Sequence, residues 1–289
     1  MIYGKIGLMR KKLKPIVVIG FFLTFFAIIF ISGVYGNRAT AGKETTITQS
    51  NTNPTSIETI PSSSYYITNA LEMKPIIDVS AWQRPSEIDY DTLSKNISGA
   101  IVRIQSGSHT KNENTATDEN GLDKAFDTHI KEFQARNIPV AVYAYVTGNS
   151  IDSMKEEARS FYEAANKYNP TFYWLDVEEH TMDDMNGGVE AFRQELESLG
   201  AKNIGIYVGT YFMEDHSINV DKFDAVWIPT YGVDSGYYNA APSTDLDYDL
   251  HQYTSRGYVN GFENYLDLNI ITTLKDPNEV YRKLFTTPE

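Results

Sequence analysis

Residues 171–179 read TFYWLDVEE, an unbroken apolar and aromatic run that ends in a cluster of acids. Asn169-Pro170 comes directly before it, and proline stops a preceding helix. So short a run without polar gaps reads as a strand buried on both faces, as in a parallel sheet. Side chains alternate along a strand, so Asp176 and Glu178 share one side while Val177 takes the other. Two steps of about 3.3 Å place the two carboxylates roughly 7 Å apart at their roots. Like charges this close push one pKa upward, which can leave an acid and a base side by side at neutral pH. Glycoside hydrolysis requires such a pair, one carboxyl to protonate the leaving oxygen and one carboxylate to assist at the sugar carbon. The alternative is a solvated strand end that caps the next helix. Three acids closing a buried aromatic strand favour a functional site.

The same grammar recurs along the chain. Pro75-Ile76-Ile77-Asp78 is a short apolar run ending in an acid, and Gly99 to Ile104 is a second buried strand. Leu122, Ala125, Phe126, Ile130 and Phe133 fall at helical spacing, closed by Asn137 and Pro139. Pro139 to Val146 is a third strand, Ala158 to Tyr168 marks a second helix, and Val189 to Leu199 marks a third, stopped by Gly200. Strands then recur at Ile204 to Val208, Ala225 to Ile228, Leu250 to Tyr253 and Tyr265 to Leu268. Strands alternating with helices imply parallel βαβ units. The expected fold class is α/β: a TIM-like β/α barrel of about eight strands, incomplete because its later helices are short or missing.

Ahead of this domain the sequence changes character twice. Residues 1–14 carry Lys5, Arg10, Lys11, Lys12 and Lys14 and no acid, and residues 15–34 are almost wholly apolar. An apolar run of about 19 residues is long enough to span a bilayer. Basic residues before it place the N-terminus inside the cell and the rest outside. A signal peptide cleaved near Ala39-Thr40-Ala41 is the alternative. The length of the run and its distance from that triplet favour an uncleaved anchor. Residues 35–72 turn to Thr, Ser, Asn and Pro without a hydrophobic period, so they are expected as a flexible linker ahead of a catalytic domain over 73–289. There is no cysteine, so an exported domain must rely on its core rather than on disulfides. The net charge of −13, more negative still once the basic tail is set aside, argues against a nucleic-acid partner.

Acids mark the strand ends: Asp78 on the first strand, Asp176 and Glu178 on the fourth, Asp267 on the last. Each could be a helix N-cap. Together they could converge on one pocket at the catalytic end of a barrel. Aromatic residues flank them, among them Trp82, Tyr143, Tyr145, Trp174, Trp227, Tyr231 and Tyr253, and aromatic faces suit sugar rings as well as cores. The five histidines lack metal-ligand spacing. Asp245-x-Asp247-x-Asp249 lacks the glycine and terminal glutamate of a calcium loop, so neither metal nor cofactor is expected. The polar stretch 112–120, NENTATDEN, is expected as solvated surface.

From about Lys74 to Asn269 the chain resembles the glycoside hydrolase family 25 muramidases, the lysozymes of bacteria and their phages. The resemblance rests on IIDVSAWQ (76–83), AIVRIQSG (100–107), IPVAVYAYV (138–146), FYWLDVEE (172–179), IGIYVGTYF (204–212), AVWIPTYG (225–232), HQYTSRGYVNGF (251–262) and LDLN (266–269), in the family's order and at similar spacing. It implies an enzyme that cleaves the β-1,4 bond between N-acetylmuramic acid and N-acetylglucosamine in peptidoglycan. It implies Glu178 as general acid, Asp176 as its partner, and Asp78 and Asp267 as the remaining carboxylates of the pocket. Tyr143, Tyr145, Trp227, Tyr231, Gln252 and Tyr253 are the implied substrate contacts. Direct attack by water and assistance from the substrate's own amide are both open. Two positions depart from the family pattern: the third strand reads Tyr143-Ala144-Tyr145 where a central histidine is common, and His251 stands where tryptophan is common. A glycan-binding module without activity, and a hydrolase of another β-1,4 polysaccharide such as chitin, are the competing functions. The expected partners are peptidoglycan strands and the membrane, with a wall-spanning secretion or conjugation apparatus as the machine an anchored enzyme would serve.

Overall fold

A computed structural model describes residues 62–106 and 114–287. The basic tail 1–14, the apolar run 15–34 and most of the linker 35–72 lie outside the described residues. Among the described residues no helix is long and apolar enough to cross a membrane. The last part of the expected linker is helical: α1 spans Ser62–Glu72 and packs against the last strand and the C-terminal helix of the domain. Ala70 is fully buried there.

Eight strands close into a barrel in sequence order: β1 (Ile76–Val79), β2 (Gly99–Gln105), β3 (Val140–Tyr145), β4 (Tyr173–Val177), β5 (Ile204–Val208), β6 (Ala225–Pro229), β7 (Leu250–Gly257) and β8 (Leu266–Ile271). A short α2 (Tyr90–Leu93) follows β1. Three amphipathic helices, α3 (Phe126–Gln134), α4 (Ile151–Ala165) and α5 (Met185–Leu199), occupy the crossovers leading to β3, β4 and β5. Between β5 and β6 there is only a short α6 (Thr210–Asp215), and no helix joins β6 to β7. The expected incompleteness thus lies in the helices, while the sheet itself closes.

The closure depends on a loop that is too short. Only residues 258–265 separate β7 from β8, whereas a parallel crossover takes a dozen or more. Strand β8 therefore returns as a hairpin, antiparallel to both β7 and β1, and Asp267 pairs with Asp78 across the seam. This corrects one expectation. Asp267 lies near the start of its strand, not its C-terminal end, yet the reversal brings it to the same end of the barrel as the other acids.

Alternation divides the apolar residues into two cores. Outward-facing residues such as Ile77, Val142, Leu175 and Ile206 pack under the helices with Phe161, Phe192 and Phe133. Inward-facing residues form a second cluster of Ile76, Ile101, Phe172, Trp174, Trp227, Leu250 and Ile271. The C-terminal helix α7 (Pro277–Phe285) closes this cluster from below through Val280, Leu284 and Phe285. Gly99 leaves room for that plug: a Cβ there would lie 2.8 Å from the Phe285 ring.

Candidate active site

One step further along the strands, the inward positions become polar. Asp78 follows Ile76, Tyr143 follows Ala141, Asp176 follows Trp174, Tyr207 follows Gly205, Trp227 follows Ala225 and Gln252 follows Leu250. With Glu178, Tyr231 and Asp267 these residues line one cleft of about 150 Å³ at the C-terminal end of the parallel strands. All four expected carboxyl groups meet there.

The floor is a hydrogen-bonded network. Asp78 Oδ2 accepts from Gln252 Nε2 at 2.9 Å and from Asn269 Nδ2 at 2.8 Å. Asn269 Oδ1 accepts from Trp227 Nε1 at 2.8 Å, and Gln252 Oε1 accepts from the hydroxyls of Tyr207, at 2.8 Å, and Tyr231. Burial lifts the Asp78 pKa to about 6, against the opposing pull of the two amide donors. Asp267 has no such amide donors. Burial, then the charges of Asp78, Asp234 and Glu178, raise it to about 8.

Asp176 lies deeper than Glu178. It is buried, and its Oδ1 has no hydrogen-bond partner, while Glu178 is exposed to the cleft mouth. Burial is the main cause that pushes Asp176 well above the usual carboxylate range, with the Glu178 charge and a hydrogen bond between the two adding to it. Glu178 is also raised, first by the surrounding walls and then by the charge of Glu179, whereas its hydrogen bond to Asp176 lowers it. The two carboxyls are therefore coupled, as their spacing implied. Burial is the first cause at both residues, so each carboxyl is held above the usual carboxylate range by the walls around it more than by its neighbour's charge.

The aromatic candidates separate by strand register and by height along the strand. Tyr143, Trp227 and Tyr231 line the cleft, as does Gln252. Burial holds the Tyr143 and Tyr207 hydroxyls well above their ordinary pKa, so both stay protonated as donors. Tyr253 is a correction. It follows the inward Gln252 and so faces outward, where it packs against Tyr238 and His251. Tyr145 does not line the cleft either; its hydroxyl donates to Glu179 Oε1 at 2.8 Å. Trp174 is under the floor, stacked on Phe172 and edge-on to Trp227. His251 also faces outward, bonded through Nε2 to the Thr230 carbonyl at 2.8 Å, and burial depresses its pKa to about 4. That departure from the family pattern is structural.

Three polar residues of the site were not foreseen. Tyr207 could have been found from the alternation Gly205, Tyr207 in IGIYV, and Asn269 from the Asp-x-Asn spacing after Asp267. Arg103 was visible as a lone charge in the apolar strand AIVRIQ. It points inward, its Nε and Nη2 both 3.0 Å from Oδ2 of the buried Asp123, which also accepts the Ala81 N–H at 2.9 Å. Its charge lowers both Asp176 and Tyr143. The stretch 112–120 also differs from expectation, since Ala116 and Thr117 are buried, Ala116 against Ala81 and Ala125. Asp249 pairs with Lys275 and Lys283, at 3.1 and 3.0 Å.

Comparison with known proteins agrees with this geometry. A glycosyl hydrolase 25 of Streptococcus pneumoniae, GHIP, described as a virulence factor participating in host cell invasion, shares 58% identity over 78% of this chain and 98% of its own, with a TM-score of 0.73. The catalytic domain of endolysin ply40 from bacteriophage P40 of Listeria monocytogenes shares 25% identity over 72% of this chain and 97% of its own, with a TM-score of 0.61. A bacterial lysozyme from Streptomyces coelicolor, at 18% identity, covers 75% of this chain and 99% of its own with a TM-score of 0.59, a likeness of fold. No curated protein sequence matches the chain. The model of the glycosyl hydrolases family 25 matches residues 77–262, most of the barrel and three of its four cleft carboxyls, and the chain belongs to that family.

Proposed function

We propose that the protein is an N-acetylmuramidase of the lysozyme type, held at the cell surface, that hydrolyses the β-1,4 bond between N-acetylmuramic acid and N-acetylglucosamine in peptidoglycan. The observation that carries this reading is the convergence of Asp78, Asp176, Glu178 and Asp267 in one cleft walled by tyrosines and a tryptophan. Glu178 is the carboxyl at the mouth, where a glycosidic oxygen can reach it. Burial raises its pKa, which favours the protonated form that a general acid needs. Passed from Glu178 to the leaving oxygen, that proton allows the C1–O bond to break, with Asp176 beside it to stabilise the positive sugar carbon. Attack by water, or by the substrate's acetamido oxygen followed by water, completes hydrolysis and returns a proton to the pair. Asp78, anchored by Gln252 and Asn269, and Asp267 form the opposite side of the cleft. Tyr143, Tyr207, Trp227 and Tyr231 offer sugar-facing rings and hydroxyl donors.

Product mass spectrometry on defined wall and chitin oligomers tests the reading. Fragments with N-acetylmuramic acid at the new reducing end are expected from walls, and no cleavage of chitin. Cleavage of chitin alone would move the substrate class, and binding without products would make the domain a glycan-holding module. The basic tail 1–14 and apolar run 15–34 support a single-pass anchor with the linker and catalytic domain outside the cell. Fractionation should find the full-length chain with the membranes. A form in the medium beginning near Gly42 would show a cleaved signal.

A further inference from the structure

Glu178 is the first residue beyond β4, and the strand pairing that fixes Asp176 ends at Val177. A proton donor must nonetheless be held to a fraction of an ångström, or rate is lost. The chain just after it is tied down on two sides. On the β3 side, the Tyr145 hydroxyl donates to Glu179 Oε1 at 2.8 Å. On the β5 side, the His180 ring stacks on His216, the residue that ends α6, with centroids 4.6 Å apart and planes 24° from parallel. His216 is backed in turn by Phe212, at 4.3 Å between ring centroids. The next residue is fastened as well, since Thr181 Oγ1 donates to the Gly148 carbonyl at 2.6 Å.

We propose that Tyr145–Glu179 and His180–His216 form a two-sided clamp that positions the Glu178 carboxyl, which makes Tyr145 and His216 positioning residues and not sugar contacts. The four residues stand outside the cleft lining, and Glu179 and His180 are exposed. Surface contacts of this kind contribute little to global stability. Their effect is local: they remove freedom from the two residues that follow the proton donor. Tyr145 is suited to the task because burial and the carboxylates beside it raise its pKa, so that it remains a donor wherever the enzyme works.

The inference rests on Glu178 being the general acid, and the test keeps the two claims apart. Steady-state hydrolysis of soluble peptidoglycan oligomers is measured for full-length wild type, Tyr145→Phe, His216→Ala, His216→Phe and Glu178→Gln, each with a thermal melt. Tyr145→Phe and His216→Ala should lower kcat about 10- to 100-fold with KM and melting temperature unchanged. His216→Phe, which still offers a flat ring to His180, should recover most of the loss. Wild-type kcat in Tyr145→Phe and His216→Ala, beside an inactive Glu178→Gln, would overturn the clamp and leave the acid assignment standing. A raised KM with normal kcat in Tyr145→Phe would also overturn it, by making that ring a sugar platform. A His216→Phe as slow as His216→Ala would remove the ring stack from the clamp. Activity retained in Glu178→Gln would sink the acid assignment itself.

Discussion

The two ends of the barrel interior share strands, register and inward direction, and differ in almost everything else. The lower end is dry: Ile76, Ile101, Phe172, Trp174, Leu250 and Ile271 fill it, and α7 plugs it. One alternation step higher, the same strands present Asp78, Arg103, Asp176, Gln252 and Asp267. Burial raises the pKa of these three carboxyls and of Glu178 beside them, and leaves Asp176 Oδ1 without a partner. Desolvated carboxyls of that sort oppose folding. The comparison teaches that two residues of rise separate the part of the barrel that stabilises from the part that reacts. The apolar layer underneath is what holds four mutually repelling acids in place.

Substitutions at the two ends should therefore fail in opposite ways. The largest effect is expected at the upper end. Glu178→Gln removes only a proton donor, so release of soluble fragments from purified walls should fall about 100- to 10,000-fold, with an unchanged melting curve. Near-normal turnover would break the contrast. At the lower end Phe172→Ala deletes a fully buried ring stacked 4.9 Å from Trp174. It should cost about 3–5 kcal/mol in urea unfolding while the turnover of the molecules that remain folded is unaltered. A milder test is Gly205→Ala, because a Cβ at that position would lie 2.4 Å from the Trp174 ring. Overpacking there should cost about 1–3 kcal/mol, read as a lower urea midpoint at the same slope.

The smallest effect has the opposite sign. Burial and the neighbouring carboxylates push the Asp267 pKa up to about 8 in the folded domain, against an ordinary value of 3.8. Between those values the native state binds more protons than the unfolded chain, so the contribution of Asp267 to stability falls as pH rises from about 4 to about 8. Asp267→Asn removes that dependence. Its melting temperature should exceed that of the wild type at pH 8 and match it at pH 4. Equal melting temperatures at both pH values would mean that the upper end is not under electrostatic strain at this residue.

Much of this was written in the chain itself. Period-two alternation in short apolar runs fixed which residues face the barrel axis, so Asp78, Asp176 and Glu178 could be grouped without coordinates, and the missing late helices were legible as missing apolar periods. Local pattern did not reveal that β8 runs backwards, although the eight residues between β7 and β8 contained the reason. It misplaced Tyr253 because an aromatic residue beside a candidate site attracts notice whichever way its strand turns it. Helix α1 was missed because its burial comes from the C-terminal helix and β8, far away in sequence. Only the tertiary structure decided how the carboxyls share charge. That depends on depth and on partners from several strands, such as Gln252 and Asn269 at Asp78, and no sequence spacing encodes the low-dielectric surroundings that raise these carboxyls.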